Sequence, residues 1–313
     1  LEGGFFLDNW FYEGMRWLSN NVTASVFLTI LLATIVMKLI TLPLDIKSRK
    51  SSLKMSALQP QIDKLKKKYA GNPQKLQQEQ SKLMKTNGVS MMAGCLPMIL
   101  TMVFFICFLS SFRIWSNEKM VSVAIDINRG IQTEEAAGTD MGTDAEYLQS
   151  FKATKWLWVN NIWQPDTMAS VIMDKATFEK IQIDNMTAFD DETVEYVKNE
   201  VIPNYDKIEA KAKSVYSGKS NGWFLLPLLA GAAMFLSSYV TMKMTPNQAS
   251  TEKTGKMMMY LFPVIGIIAG LQSSAAFAIY WVISSLISMF TQIGITKIYM
   301  RKSTTDSTQV EEA

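Results

Sequence analysis

Histidine is absent from the 313 residues, and cysteine occurs only at Cys95 and Cys107. The first absence excludes Ser-His-Asp triads, His-ligated zinc and His-ligated haem. If the two cysteines share one helix, a rise of about 1.5 Å per residue puts them roughly 18 Å apart, too far to pair. Two cysteines do not build a zinc or iron–sulfur framework either. There is no Walker A sequence and no comparable glycine-rich phosphate loop, so no nucleotide site is visible. The aspartates of Gly138–Asp144 lack the ligand spacing of an EF-hand and read as a solvated loop. No cofactor and no metal site are expected. The net charge of +3 is small and scattered, and gives no ground for sequence-specific nucleic-acid binding.

Charge is also missing from long stretches. A spanning helix needs about 20 mostly apolar residues. Ala24–Leu44 carries only Lys38, and Met91–Ile114 carries only Arg113, at its end. Trp223–Met242, Met257–Leu271 and Ala275–Ile295 carry no charge. Met257–Leu271 is short, about 22 Å as a helix. The link Gln272-Ser273-Ser274 is too short to cross a bilayer, so the last two segments form an antiparallel hairpin. A buried or re-entrant helix is the other reading of the short segment.

Basic residues near span ends set orientation. Residues 45–90 hold eleven Lys or Arg against Asp45, Asp63 and Glu79. Residues 116–222 hold eleven against eighteen Asp or Glu. Lys243, Lys253 and Lys256 mark the third loop, and Lys297, Arg301 and Lys302 the tail. Five spans reconcile these signs and four do not. The expected chain is an all-α polytopic membrane protein, with its N-terminus outside and its C-terminus cytoplasmic. Residues 1–22 form an external interfacial amphipathic helix, and 23–45 the first span. Residues 46–90 are a cytoplasmic basic helical hairpin, 91–115 the second span and 116–222 an external, acidic, mainly helical insertion. The third span is 223–242, followed by a cytoplasmic loop at 243–256. The fourth span at 257–271, an external turn at 272–274, the fifth span at 275–297 and a cytoplasmic tail at 298–313 complete the chain. Because the sequence starts at Leu1, a cleaved signal segment is expected upstream.

The loops differ in kind. Leu58, Ile62, Leu65 and Tyr69 make one helical stripe, Gly71-Asn72-Pro73 breaks it, and Leu76, Leu83 and Met84 resume it. Lys64, Lys66, Lys67 and Lys68 cluster beside the stripe. They read either as a solvated face or as a docking surface for anionic lipid heads, a ribosome or a nascent chain. Trp156, Trp158 and Trp163 are expected at the outer membrane surface or capping the spans. From Val194 to Val215 a helical stripe recurs, with Asp190, Asp191 and Glu192 at its start and Pro203 expected to bend it.

Lys38 is the informative residue, because a charge inside a span marks a functional site by default. At about 100° per residue, Thr34, Lys38, Thr41 and Asp45 share an arc of about 60°. Trp281, Ser285, Ser288 and Gln292 share one face of the last span, and Ser237, Ser238 and Thr241 lie in the third. Each group occupies the cytoplasmic half of its span. The economical arrangement turns them towards one another around a wet groove. Snorkelling of Lys38 and plain helix packing are the competing readings.

Several pieces then carry a resemblance. They are Leu39-Ile40-Thr41-Leu42-Pro43-Leu44, Leu58-Gln59-Pro60, Asn72–Glu79, Gly94-Cys95-Leu96-Pro97, Trp163-Gln164-Pro165-Asp166, Leu226-Pro227 through Gly231, Met257–Pro263 and Ala278-Ile279-Tyr280-Trp281. In this order they resemble the YidC family of membrane protein insertases. The resemblance implies five helices around a hydrophilic groove open to the cytoplasm and the lipid. It places Lys38 where the family usually has an arginine, Ser237 or Ser238 where a glutamine is frequent, and Trp281 at the aromatic of the last span. An insertion as large as 116–222 is unusual for bacterial members.

The implied function is a membrane protein insertase of the bacterial cell membrane, not a bond-breaking enzyme. Nascent membrane proteins are the implied substrates, and the ribosome, a Sec translocon and anionic lipids the implied partners. A small-anion transporter and a membrane-anchored interaction protein acting through 116–222 are the alternatives. Neither an inverted repeat nor a second intramembrane charge favours the transporter.

Overall fold

The computed structural model describes residues 6–23, 25–89, 96–245 and 252–311. Cys95, the start of the second predicted span and most of the 243–256 loop lie outside the described residues. Among those described, the chain is helical, with one isolated bridge, Trp156 to Val159, in place of any strand. The long helices are α1 (Phe6–Asn21), α2 (Val26–Lys68), α3 (Pro73–Thr86) and α4 (Leu96–Ala137). Short helices α5 (Gln149–Lys152), α6 (Lys175–Phe178) and α7 (Asp191–Tyr196) precede α8 (Tyr205–Val215). The last three are α9 (Leu225–Lys243), α10 (Glu252–Gln272) and α11 (Ala275–Glu311).

Val26–Lys68, Leu225–Lys243 and Ala275–Met300 contain helices long and apolar enough to cross a membrane. Met259–Gln272 is apolar but shorter. Helix α10 as a whole has 21 residues, so the fourth predicted span is embedded in a longer helix. Helix α2 runs unbroken through Pro43 and Pro60. The predicted boundary at residue 45 therefore falls inside a helix, as do those at 115 and 297.

The chain divides into two compact units. One comprises Leu1–Ile30, Cys107–Ala230 and Gly266–Tyr280. The other comprises Leu31–Ile106, Gly231–Ile265 and Trp281–Ala313.

The first unit has its own core. On α1, Phe11, Tyr12 and Met15 are buried while Trp10 and Trp17 face outward at 54% and 60% exposure. Phe11 stacks on Phe108 at 4.6 Å, and Tyr12 Oη donates to Glu118 Oε2 at 2.8 Å. Burial, with Glu118 beside it, pushes the Tyr12 phenol above its ordinary pKa, so it stays a donor. The amphipathic helix thus docks its apolar face on α4, with two tryptophans left outward. Val197, Val201, Tyr205, Ile208 and Ala212 form a buried stripe, and Asp190 caps α7 through the Thr193 amide. Pro203 breaks this stretch rather than bending it, because the turn at 202–204 separates α8 from the π-helical Val197–Val201.

Asp166 is the node of this unit. Its carboxylate is fully buried and accepts from the Trp223 amide at 2.7 Å, the Leu226 amide at 2.7 Å and Trp158 Nε1 at 3.1 Å. The Leu226 amide belongs to the first turn of α9, whose donors have no helical partner and whose dipole favours an anion. The neighbouring carbonyls of Ile162 and Gln164 accept from Ala276 and Ala275 at the start of α11, each at 2.9 Å. Trp163 is buried against Trp115. Residues 162–166 therefore hold the first turns of two apolar helices. The expected tryptophan cluster caps spans with Trp158 and Trp163. Gly222 is required, because a Cβ there would lie 1.8 Å from Asp166 Oδ1.

In the second unit, Asn72 caps α3 through the Lys75 amide, Pro73 takes its first turn, and Gly88 closes it at φ +64°. Leu58, Ile62, Met84 and Val89 form the buried seam of the hairpin, with Met55 and Leu83 against it. Leu65, Tyr69 and Leu76, nearer the tip, are only half-buried.

Asp166→Ala removes one acceptor from three buried or half-buried donors. At about 1–3 kcal/mol for each buried group left unpaired, it should cost at least about 3 kcal/mol. Gly222→Ala should act in the same direction by displacing the carboxylate. Thermal unfolding in lipid nanodiscs would show both as a lowered midpoint, with Asp166→Asn intermediate. An unchanged midpoint for Asp166→Ala would remove the node from the account.

Candidate functional site

All ten residues of the predicted groove fall in the second unit. Thr34 is buried, at 1% exposure. Lys38, Thr41, Ser237, Ser238, Thr241, Trp281, Ser285, Ser288 and Gln292 are half-buried. On α2 the opposite side is apolar and open: Ile35, Val36, Leu39, Ile40 and Leu44 are all exposed. That is the pattern of a helix with one face to lipid and one to a polar interior. Trp281 packs edge-on to Phe105 at 4.4 Å. Asp45 lies two turns further along α2, on the same face as Lys38.

The hydrogen bonds that join the three faces come one turn beyond them. Arg49 Nε donates to Thr296 Oγ1 on α11 at 2.8 Å, and Nη1 donates to Thr245 Oγ1, just past α9, at 2.8 Å. Nη2 reaches the carbonyls of Thr241 and Met244 at 3.5 Å each. These are carbonyls at the C-terminal end of α9, where the helix has no amides left to offer and its dipole favours a cation. Arg49, Thr245 and Thr296 are themselves buried. One guanidinium thus ties three helices together.

Arg49 was not among the residues picked out by sequence reasoning, although a signal for it exists. It lies four residues after Asp45, as Thr245 does after Thr241 and Thr296 after Gln292. Eleven residues at about 100° bring Arg49 within about 20° of Lys38 around the helix. Each polar face continues for one more turn, and the three added residues meet. The division of the chain at residue 45 hid this by assigning Arg49 to the hairpin.

Arg49 is buried, and the hydroxyls and carbonyls around it stand in for water. An arginine still remains protonated in a protein. Its fork of planar donors is what allows it to bridge two hydroxyls on different helices, which a lysine could not do with the same geometry.

The hairpin lysines Lys64, Lys66, Lys67 and Lys68 are exposed. Lys66 pairs with Asp63 at 3.6 Å, while Lys68 and Lys75 both lie over the Tyr69 ring. They form a solvated basic face, available to an anionic surface but not gathered into a pocket.

Comparison with known proteins adds a family. The model of the 60Kd inner membrane protein family matches residues 17–303. The chain is 26% identical over 294 residues to the membrane protein insertase YidC of Clostridium perfringens, covering 93% of this chain and 87% of that one. It is likewise 26% identical over 298 residues to the membrane protein insertase YidC of Chlorobaculum tepidum, covering 95% of this chain but 36% of that one. A shorter stretch of 80 residues is 44% identical to the YidC insertase of Clostridium tetani, covering 26% of this chain and 36% of that one.

Thr245 and Thr296 also donate to the carbonyls of Thr241 and Gln292, at 2.8 and 2.7 Å, so neither hydroxyl depends on Arg49 alone. Replacing a buried ion by an apolar side chain of similar volume is often neutral. Arg49→Met should therefore cost no more than about 1 kcal/mol in the stability of the folded protein, whereas Arg49→Ala, which leaves a cavity, should cost about 2 kcal/mol or more. Melting midpoints of the two variants would check this; equal losses would mean that the charge itself holds the helices.

Proposed function

Because this chain belongs to the 60Kd inner membrane protein family, the family of the YidC membrane protein insertases, we propose that it moves short polar segments of nascent membrane proteins into the bilayer through a groove between α2, α9 and α11. The observation that carries the groove is the convergence of three polar helix faces at Arg49. Helices whose polar faces meet at one end have every reason to face one another along the turns before it.

Within the groove, Lys38 attracts an acidic N-terminal segment entering from the cytoplasm. Hydroxyls of Thr34, Thr41, Ser237, Ser238, Thr241, Ser285 and Ser288, with the amide of Gln292, supply replacement hydrogen bonds as that segment loses water. Trp281 lines the same face. A wet half-channel shortens the hydrocarbon path, which lowers the desolvation barrier. The apolar segment that follows partitions into lipid, and its burial drives the process forward. Any membrane potential acts on the charges that cross. The orientation is N-terminus outside and C-terminus cytoplasmic, in the bacterial cell membrane. The basic hairpin around Lys64–Lys68 meets anionic lipid heads and the ribosome, and a Sec translocon is a partner for larger substrates.

Purified protein reconstituted into liposomes should insert a single-span substrate and should not take up labelled small anions. Anion uptake without insertion would replace the insertase reading by a transporter. Within that assay, Lys38→Arg should retain insertion of a substrate with an acidic tail. Lys38→Ala should slow it and Lys38→Glu should slow it further. A reduction of about tenfold, which corresponds to about 1.4 kcal/mol, is expected for Lys38→Glu. The ceiling is the roughly 4 kcal/mol of a charge pair about 4 Å apart at an effective dielectric near 20. A matched substrate without tail charges should change much less. Equal insertion of the acidic substrate by Lys38→Glu and the parent would reduce Lys38 to a snorkelling residue.

The hairpin makes a separate prediction. Its seam is buried only near its base, and its outer face is charged. Replacing residues 54–87 by a short Gly-Ser link keeps Arg49 and its partners. This variant should fold, as judged by an unchanged melting midpoint, but insert ribosome-bound substrates more slowly. Insertion at the parental rate would leave the hairpin as a topological tether only.

A further inference from the structure

Trp156 and Val159 exchange two backbone hydrogen bonds of 2.9 Å, which close a two-residue turn at Leu157 and Trp158. Leu157 stands in it at φ +51°, a corner that such turns normally give to glycine or asparagine. A leucine is strained there, and its side chain is 63% exposed. Met168 and Trp223 are as exposed, at 65% and 64%. The Asn221 and Gly222 amides donate to the carbonyls of Ala169 and Thr167, so Met168 and Trp223 lie on adjoining stretches of chain. Asp166 gathers all three places: Trp158 Nε1 and the Trp223 amide both donate to it, and Met168 follows it by two residues. The turn is also fixed in depth. Trp156 stacks on Phe27, in the first turn of α2, at 5.8 Å, and Trp158 is linked through Asp166 to the first turn of α9. Both helices are long and apolar enough to cross a membrane, so the turn sits level with two span ends. Residues 156–173 and 220–242 hold one charged side chain between them, Asp166, and it is buried among its donors. Lys155 and Lys219, both exposed, flank these runs.

We propose that this turn is a lipid anchor for the 116–222 insertion: Leu157, Met168 and Trp223 enter the leaflet at the head of α9, and Lys155 and Lys219 meet lipid phosphates beside them. Continuity with the membrane face carries the choice of lipid. The exposed side of α9, with Leu225, Leu228 and Leu229, leads directly to Trp223. A protein interface ends in a polar rim, whereas this apolar surface runs into a span. Tryptophan suits the headgroup level, and the two lysines can extend their ammonium groups to it. Lipid around Leu157 removes apolar surface from water, which offsets the strain of its backbone. The anchor sets the depth of Asp166, and with it the first turns of α9 and α11 that residues 162–166 hold. In the orientation proposed above this is the outer leaflet. The anchor does not depend on whether the chain inserts substrates.

The test reads depth in the bilayer. Leu157→Cys, Met168→Cys and Ala176→Cys, each in a full chain carrying Cys95→Ser and Cys107→Ala, take a small fluorescent label in lipid nanodiscs. Ala176 is exposed on α6, outside the charge-free runs, and serves as the reference. Two quenchers are compared: lipids with a nitroxide high on the acyl chain, and iodide in the water. Labels at 157 and 168 should be quenched by the nitroxide lipids and shielded from iodide, and the label at 176 should behave the other way. With the label at 168, Leu157→Asp should lower the lipid quenching by about twofold or more, because a carboxylate does not enter hydrocarbon. Leu157→Met should leave it unchanged. Both variants should keep the parental melting midpoint, since residue 157 is exposed. Iodide quenching at 157 and 168 as strong as at 176 would mean a bare, solvated patch. Shielding from both quenchers would mean a protein cover. Unchanged lipid quenching at 168 in Leu157→Asp would mean that Leu157 does not hold the turn in lipid. Each of these three results would overturn the proposal.

Discussion

An ionised side chain taken out of water must be given oxygens, a counter-charge or a wet cavity. Otherwise burying it costs more than the fold can supply. The second unit answers that demand in three different ways on one helix. Arg49 is buried and receives four neutral oxygens from two other helices. Asp45 and Lys38, of opposite charge, are half-buried two turns apart on one face of α2. Thr34, deepest of the set, is buried as a neutral hydroxyl. Between Thr34 and Asp45 the exposed residues of the same helix are Ile35, Val36, Leu39, Ile40, Pro43 and Leu44, none of them polar. Under the proposed function, the residues that cannot face lipid are those that receive a polar substrate.

The first unit meets a related demand, that of helix ends. The first amides of α9 and α11 have no partners within their helices. Residues 162–166 provide them: one buried carboxylate for α9 and two backbone carbonyls for α11. The reciprocal bonds between Asn161 and Asn221 close the base of the long insertion around that node. Trp163-Gln164-Pro165-Asp166 lies within the long stretch 116–222. The short run is tied to the spans themselves, whereas the helices around it pack largely among themselves. Tyr12 and Glu118 fasten α1 to the same unit.

Much of this was legible from local pattern. Charge-free runs marked the apolar helices, and Gly71-Asn72-Pro73 marked the hairpin turn that Asn72 caps. The stripe from Val197 to Ala212 was readable at helical period. Lys38 stood out because a lone cation in an apolar run is costly anywhere. Helix continuity was less legible. Pro43 and Pro60 sit inside α2, where proline normally ends a helix. The polar stretches 116–137 and 298–311 have the composition of loops, although α4 and α11 continue through them. A change in solvent exposure alters composition without altering backbone geometry.

By itself the sequence determined the helical class, the membrane character, the family and the phase of each polar face. All of these depend on spacing along one chain segment. Only the tertiary structure decided that Arg49, and not a further residue near Lys38, joins the faces, and that Asp166 serves as a helix cap rather than a loop acid. Such assignments require three helices to be set at the right depth and rotation. A hydrogen bond of 2.8 Å between Arg49 and Thr296, 247 residues apart, is invisible to any local period. The physical reason is that periodicity says which side of a helix is polar, while the partner it meets is fixed by how neighbouring helices pack.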